Sequence, residues 1–185
     1  ALNENILPPD EAAAARARAR WDNLAKPVGS LGDLESCLVR AAGLLGTERV
    51  AFYKRAVLVF CADNGVTKSG VAATPASITA TMARIIARGR SAVGLMAKRA
   101  GADVFAVDMG MFTRPGEPNL LDRRVADGTR DMTQGPAMTL EQAERAVETR
   151  MELVREKKAA GYGLLATGEM GIGNTTSAAA VAAAL

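Results

Sequence analysis

The chain has 185 residues, 49% apolar and 23% charged, enough for one domain with a sizeable core or one domain with an appendage. Its 23 basic and 20 acidic residues leave a dispersed excess of +3, and aromatics make up only 4%, so no nucleic-acid partner and no membrane-surface partner is expected. Histidine is absent, which removes the usual general base near neutral pH and the commonest metal ligand. Neither a metal nor a cofactor is expected, and proton transfer falls to carboxylates, Lys, Tyr or Cys.

Residues 10–24, DEAAAARARARWDNL, follow a Pro-Pro pair and open on Asp10, a natural N-cap, so they read as a helix. After the Pro- and Gly-broken stretch AKPVGSLGDLE, residues 33–45 read as a second helix, because Leu34, Leu38, Ala41 and Leu45 recur at helical spacing. The pattern changes at Ala56, where AVLVFCAD is a continuous apolar run of strand length ending in an acid, as expected of a buried parallel strand. Cys61 lies inside this run and is expected to be a buried, reduced thiol.

Thr74-Pro75 reads as an N-cap and first helical residue ahead of ASITATMARIIARG, with Ile78, Met82, Ile85 and Ile86 on one face and Gly89 at its end. SAVGLMAKRAG predicts a short helix closed by Gly101, and ADVFAVDMG a second buried strand ending at Asp108. Residues 112–137 have no clear period and read as loop, with a short edge strand around Arg124-Val125. TLEQ at 139–142 is a capping box opening a long helix with Ala143, Val147, Met151 and Val154 along one face, and GYGLLATG is a third strand. Strands alternating with helices predict right-handed crossovers and an α/β fold, a parallel sheet with helices on its faces. No apolar run approaches the ~18 residues of a spanning helix, the opening ALNENILPPDE has no signal-peptide pattern, and a cytoplasmic location is expected.

The stretch Gly168–Thr176, GEMGIGNTT, lies between the third strand and the helical SAAAVAAAL. Glycines let backbone approach a ligand or adopt positive φ, and a helix starting near Thr175 points free N–H groups and its positive end into the turn. Two readings follow: an anion cradle, with phosphate as the common occupant, or a strand-to-helix turn capped by Asn174 or a threonine. It is neither a Walker loop nor the dinucleotide fingerprint. In the first reading phosphate lies over Gly171, Ile172, Gly173, Asn174, Thr175 and Thr176, while Glu169 faces another, proton-bearing part of the substrate. The three strands end in Asp63-Asn64-Gly65, Asp108-Met109-Gly110 and Thr167-Gly168-Glu169. Ligands gather at the carboxyl ends of parallel strands, so Asp63, Asn64, Asp108 and Glu169 are candidates for one cleft. Capping or salt-bridging within the turns is the competing account of each acid.

Six segments then occur in order: KPVGSLGDLE (Lys26–Glu35), ADNGV (Ala62–Val66), GVAATP (Gly70–Pro75), VDMG (Val107–Gly110), GPAM (Gly135–Met138) and GEMGIGNTT. Together they resemble the nicotinate-nucleotide–dimethylbenzimidazole phosphoribosyltransferase family, whose members build the lower-ligand nucleotide of cobalamin. The resemblance implies a Rossmann-like parallel-sheet domain, a small helical domain and a homodimer. It assigns residues 1–50 to the small domain and 51–185 to a partial Rossmann-like domain. It implies nicotinate mononucleotide and a benzimidazole-type base as substrates, with α-ribazole phosphate and nicotinate as products.

By the same resemblance Glu169 matches the acid of the glycine-rich turn near the reacting ribose, and Gly168 and Gly171–Thr176 match the segment that holds the phosphate. Thr74 and Pro75 fall where the base pocket is lined. Met82 stands where some members carry Gln, which implies a more apolar and polarisable pocket, or else simple core packing of Met82 on its helix. The family's main catalytic base is expected beyond Leu185, and the ending AAAVAAAL reads as cut within a helix, so a truncated form with little turnover by itself is expected. The rival readings are a non-catalytic nucleotide- or base-binding module and a related transferase with another acceptor.

Overall fold

The computed structural model describes residues 6–185, so the first five residues of the expected segment 1–50 lie outside it. The chain divides into two compact units, Ala1–Phe52 and Tyr53–Leu185. In the first, α1 (Glu11–Asp22) and α2 (Asp33–Leu45) pack through Ala17, Val39 and Ala42, with Ala14, Trp21 and Val50 around them. Asp10 caps α1 as its sequence position requires, accepting the Ala13 N–H at 2.9 Å. The buried stripe of α2 is Glu35, Val39, Ala42 and Gly43, one position on from the leucine stripe expected from periodicity. Small residues win this face because they let α1 and α2 approach closely, and Leu34, Leu44 and Leu45 stay exposed.

The second unit holds four parallel strands in the order β3-β2-β1-β4, namely β1 (Arg55–Ala62), β2 (Asp103–Gly110), β3 (Leu121–Asp122) and β4 (Leu164–Met170). The expected α/β architecture is therefore present. The edge strand β3 falls three residues before the position expected, and the chain beyond it still follows β2, with the Arg123 N–H on the Asp108 carbonyl at 2.9 Å and the Val125 N–H on the Met109 carbonyl at 3.0 Å. Central β1 is buried on both faces, which is why its sequence is continuously apolar rather than alternating. On one face Val59 and Cys61 pack with Ala80, Ala83 and Ile86 of α3 (Ile78–Ala87), with Val93 of α4 (Ala92–Arg99) beside them. On the other, Leu58 and Phe60 pack with Leu153 of α5 (Leu140–Ala159).

α5 opens with the expected capping box: the Gln142 N–H reaches Thr139 Oγ1 at 3.1 Å and the Thr139 N–H reaches Gln142 Oε1 at 3.0 Å. Its buried residues are Thr149 and Leu153, again beside the apolar stripe read from the sequence, so Val147 and Val154 remain accessible. The N-terminus of α3 also differs from expectation. A turn at Pro75, with the Ile78 N–H on the Pro75 carbonyl at 3.1 Å, precedes the helix, so Ser77 rather than Thr74 is the N-cap. The last helix, α6 (Asn174–Ala184), buries no residue among those described.

The direction in which strands are added to the sheet reverses between β1 and β4. From β1 the chain moves outward to β2 and β3 by way of α3 and α4, then returns through α5 to place β4 on the free side of β1. Such a reversal splays the two loops that leave neighbouring strands and opens a crevice at their carboxyl ends. The loop after β1 starts at Asp63, and the glycine-rich turn follows β4.

Candidate functional site

Strand β4 runs through Glu169 to Met170, two residues beyond the strand read from the sequence, so the turn itself shrinks to Gly171-Ile172-Gly173. Gly173 has φ +84° and is the N-cap of α6, without a side-chain cap. This corrects the expectation of Asn174 or a threonine at that position: only glycine takes the left-handed backbone without strain there, so the cap goes to the residue that can make the bend. Asn174 instead accepts the Thr175 N–H at 2.8 Å and donates its amide to Glu169.

The turn is pinned from three sides. A Cβ on Gly171 would sit 2.2 Å from the Ala62 carbonyl oxygen and 2.8 Å from Asn64 Nδ2, so glycine is required by close backbone approach to β1. Asn64 donates Nδ2–H to the Ile172 carbonyl at 3.2 Å and accepts from Ser177 Oγ at 2.8 Å, tying the turn to the first turn of α6. The Ile172 N–H is donated to Thr79 Oγ1 of α3 at 3.2 Å. Thr67, in the 3-10 turn Gly65–Ser69 after β1, places its methyl 3.0 Å from where a Gly173 Cβ would be.

Three amides of the turn and the helix start are taken up within the protein. The N–H of Ile172 is used by Thr79, that of Asn174 by the Gly171 carbonyl at 3.1 Å, and that of Thr175 by the Asn174 side chain. Among the described residues the N–H groups of Gly173 and Thr176 and the hydroxyls of Thr175 and Thr176 make no hydrogen bond, and they stand at the positive end of α6, where an anion is favoured. Gly168 sits on the strand against Val59, its Cβ direction 3.4 Å from that side chain, and contributes close sheet packing.

Glu169 is solvent-accessible as a residue, yet its carboxyl is crowded by Asn174 and the Gly171 backbone. Partial burial raises its pKa, against the opposing pull of the Asn174 hydrogen bond and the Arg150 charge. Arg150, on α5, lies 5.1 Å from the centre of the Phe60 ring and faces the same side of the sheet, since Phe60 is the register partner of Glu169. Sequence reasoning missed Arg150, Thr79 and Ser177; none stands in a motif, and only the fold brings them to the turn.

The structure does not bring the three strand-end acids together. Asp108 is the partner of Cys61 in the β1–β2 register, on the α3 face, whereas Glu169 shares the α5 face with Phe60. Asp108 is buried and paired with Arg124 at 2.8 Å, and it also accepts the Gly110 N–H at 2.9 Å. Asp63 is buried, with Oδ2 accepting the Phe112 N–H at 2.7 Å and Oδ1 unpartnered among the described residues. Thr74 and Pro75 are exposed and line an open recess of about 370 Å³ together with Thr67, Lys68 and Ala73. Met82 is half-buried and stands outside both core clusters of the sheet, whose α3 contribution is Ala80, Ala83 and Ile86. No group of three or more metal-ligating side chains occurs among the described residues, and none of their helices is long and apolar enough to cross a membrane.

Comparison with known proteins gives the family. Residues 6–185 match the model of a family described as phosphoribosyltransferase. The nicotinate-nucleotide–dimethylbenzimidazole phosphoribosyltransferase of Chloroflexus aggregans is 46% identical over 182 residues, covering 98% of this chain and 52% of the relative. The protein of the same name from Geobacter metallireducens is 45% identical over 181 residues, covering 97% of this chain and 51% of the relative. A crystal structure of the enzyme so named from Thermus thermophilus superposes with a TM-score of 0.88 at 44% identity, over 95% of this chain and 53% of that one. The chain thus spans about half the length of the relatives it matches. With the family match running from the first helical unit through the glycine-rich turn, the chain belongs to the phosphoribosyltransferase family.

Proposed function

We propose that this protein transfers the phosphoribosyl group of nicotinate mononucleotide to dimethylbenzimidazole or a similar base, giving α-ribazole phosphate and nicotinate. The observation that supports this most is the conjunction of 46% identity to a relative of that name with an anion-favouring helix start at the β1–β4 switch point. The phosphate is held at the amides of Gly173 and Thr176 and the hydroxyls of Thr175 and Thr176. The recess beside Thr74 and Pro75 takes the flat acceptor, with Met82 on the helix beyond it.

Little covalent work is needed from the protein. The C1′–N bond to the cationic nicotinate breaks, an acceptor ring nitrogen forms the new C1′–N bond from the opposite face, and the proton on the acceptor's other nitrogen passes to a carboxylate. Fixing the phosphate and the ring supplies proximity, and a carboxyl with a raised pKa, as at Glu169, suits proton handling or stabilisation of positive charge at the ribose. The enzyme is proposed to act as a homodimer in the cytoplasm.

The test is incubation of the protein in its full encoded length with nicotinate mononucleotide and dimethylbenzimidazole, following both products by chromatography. Stoichiometric nicotinate and α-ribazole phosphate are expected; a folded protein that releases no nicotinate refutes the proposal. Competition among benzimidazole, purine and phenolic acceptors identifies the base it prefers.

A further inference from the structure

Two side chains outside the glycine-rich stretch fix its shape. Asn64, just after β1, uses both ends of its amide: Nδ2–H to the Ile172 carbonyl at 3.2 Å and Oδ1 from Ser177 Oγ at 2.8 Å. Thr79, fully buried in the first turn of α3, accepts the Ile172 N–H at 3.2 Å. Both polar groups of the Ile172 peptide flank are therefore held by side chains from two different elements, and Asn64 extends the hold into α6. A three-residue turn with glycine at both ends has wide conformational freedom of its own. Without these contacts the Gly173 amide and the start of α6 lose two of the side-chain bonds that hold them against β1 and α3, and a site for a tetrahedral anion needs its donors already aimed.

We infer that Asn64 and Thr79 are positioning residues that orient the glycine-rich turn for the phosphate of the ribosyl donor, acting through Ile172 and Ser177 and not by touching substrate. The inference rests on the reading of this turn as the donor's phosphate site. Thr79 also links that site to α3, the helix that carries Met82 one turn further on.

The experiment uses the protein in its full encoded length, unmodified and as Thr79→Val, Thr79→Ser, Asn64→Ala and Ile86→Val. Ile86 lies in the core on the far part of α3 and serves as a control for loss of stability alone. Binding of nicotinate mononucleotide is measured by calorimetry, and KM for donor and acceptor by steady-state kinetics. Thr79→Val keeps the volume and removes the acceptor, and it is expected to weaken nicotinate mononucleotide about tenfold, the size of one lost hydrogen bond. Donor KM rises in step while acceptor KM stays within twofold. Thr79→Ser restores donor affinity to within twofold, Asn64→Ala behaves like Thr79→Val, and Ile86→Val leaves donor affinity unchanged.

Equal donor binding by unmodified, Thr79→Val and Asn64→Ala proteins overturns the inference and leaves the proposed function standing. Weakening that serine does not rescue, or that Ile86→Val reproduces, also overturns it, because the role is then one of general stability. If Thr79→Val does not fold, Asn64→Ala and Thr79→Ser decide by the same affinities. An unmodified protein that does not bind nicotinate mononucleotide defeats the functional reading and the inference together.

Discussion

Arg124 Nη1 donates to Asp108 Oδ2 at 2.8 Å, and both side chains are less than a tenth exposed. The same guanidinium donates from Nη2 to the Met111 carbonyl at 2.6 Å and pairs with Asp127, so it stitches the end of β2 to the loop beyond β3. Asp108→Asn leaves the buried guanidinium with the Met111 carbonyl and the exposed carboxylate of Asp127. It is therefore expected to lower unfolding free energy by about 1–3 kcal/mol in urea titrations, the cost of weakening a charged hydrogen bond at a buried group. Donor and acceptor KM should change little once folding is complete, since Asp108 faces away from the Glu169 side of the sheet.

Gly171→Ala tests the close approach of the turn to β1. The added methyl would meet the Ala62 carbonyl oxygen at 2.2 Å, and that backbone is held in the central strand of the sheet. A loss of about 1–3 kcal/mol in stability is expected, with nicotinate mononucleotide binding abolished in calorimetry.

Cys61 is fully buried and its thiol is pushed up to about 12, mainly by burial, with the charges of Asp108 and Glu169 adding to it. Cys37 is exposed. Iodoacetamide at pH 8 should modify Cys37 alone in the folded protein and both cysteines in denaturant, as read by mass spectrometry.

The Lys26 ammonium, 2.8 Å from Glu35 Oε1, holds the Glu35 carboxyl below its ordinary value of 4.5, helped by the Leu31 N–H. A depressed carboxylate contributes stability above its unfolded pKa and loses it as pH falls through the folded one. Glu35→Gln should thus be less stable than the unmodified protein at pH 7, and the difference should vanish well below pH 4.5. Fluorescence of Trp21, the one tryptophan of the chain, reports it, because Lys26 lies 5.8 Å from its ring centre.

Met82→Ala separates pocket from core. A fully buried Met→Ala change costs about 2–5 kcal/mol, and half-buried Met82 outside the core clusters should cost under about 1.5 kcal/mol by thermal unfolding. Acceptor KM should nevertheless rise, with donor KM unchanged.

Local signals in the chain were enough to place the elements. The Pro-Pro-Asp start of α1, the Thr139–Gln142 capping box, the apolar runs of β1 and β2 and the glycine-rich stretch each act within a few residues, so α/β order and the strand-end position of the glycine-rich turn were legible. Helix faces were not. In α2, α3 and α5 the buried stripe combines an apolar anchor, Val39, Ile86 or Leu153, with small or polar residues that let the helix come close, Ala42 and Gly43, Thr79 and Ala83, Thr149. Of the stripes read from periodicity, only Ile86 is among these buried residues. Periodicity gives the period of a pattern and not the partner that selects one stripe over its neighbour.

Tertiary structure alone settled the chemistry at the strand ends. Three similar acids follow three similar strands, but register and pleat send Asp108 and Glu169 to opposite faces, and a distant arginine claims the first. Likewise the residues that brace the turn, Asn64 and Thr79, stand 108 and 93 positions from Ile172 along the chain. The sequence determined that a glycine-rich turn would stand before a helix; which of its amides are bonded was decided by contacts between elements that meet only when the sheet forms.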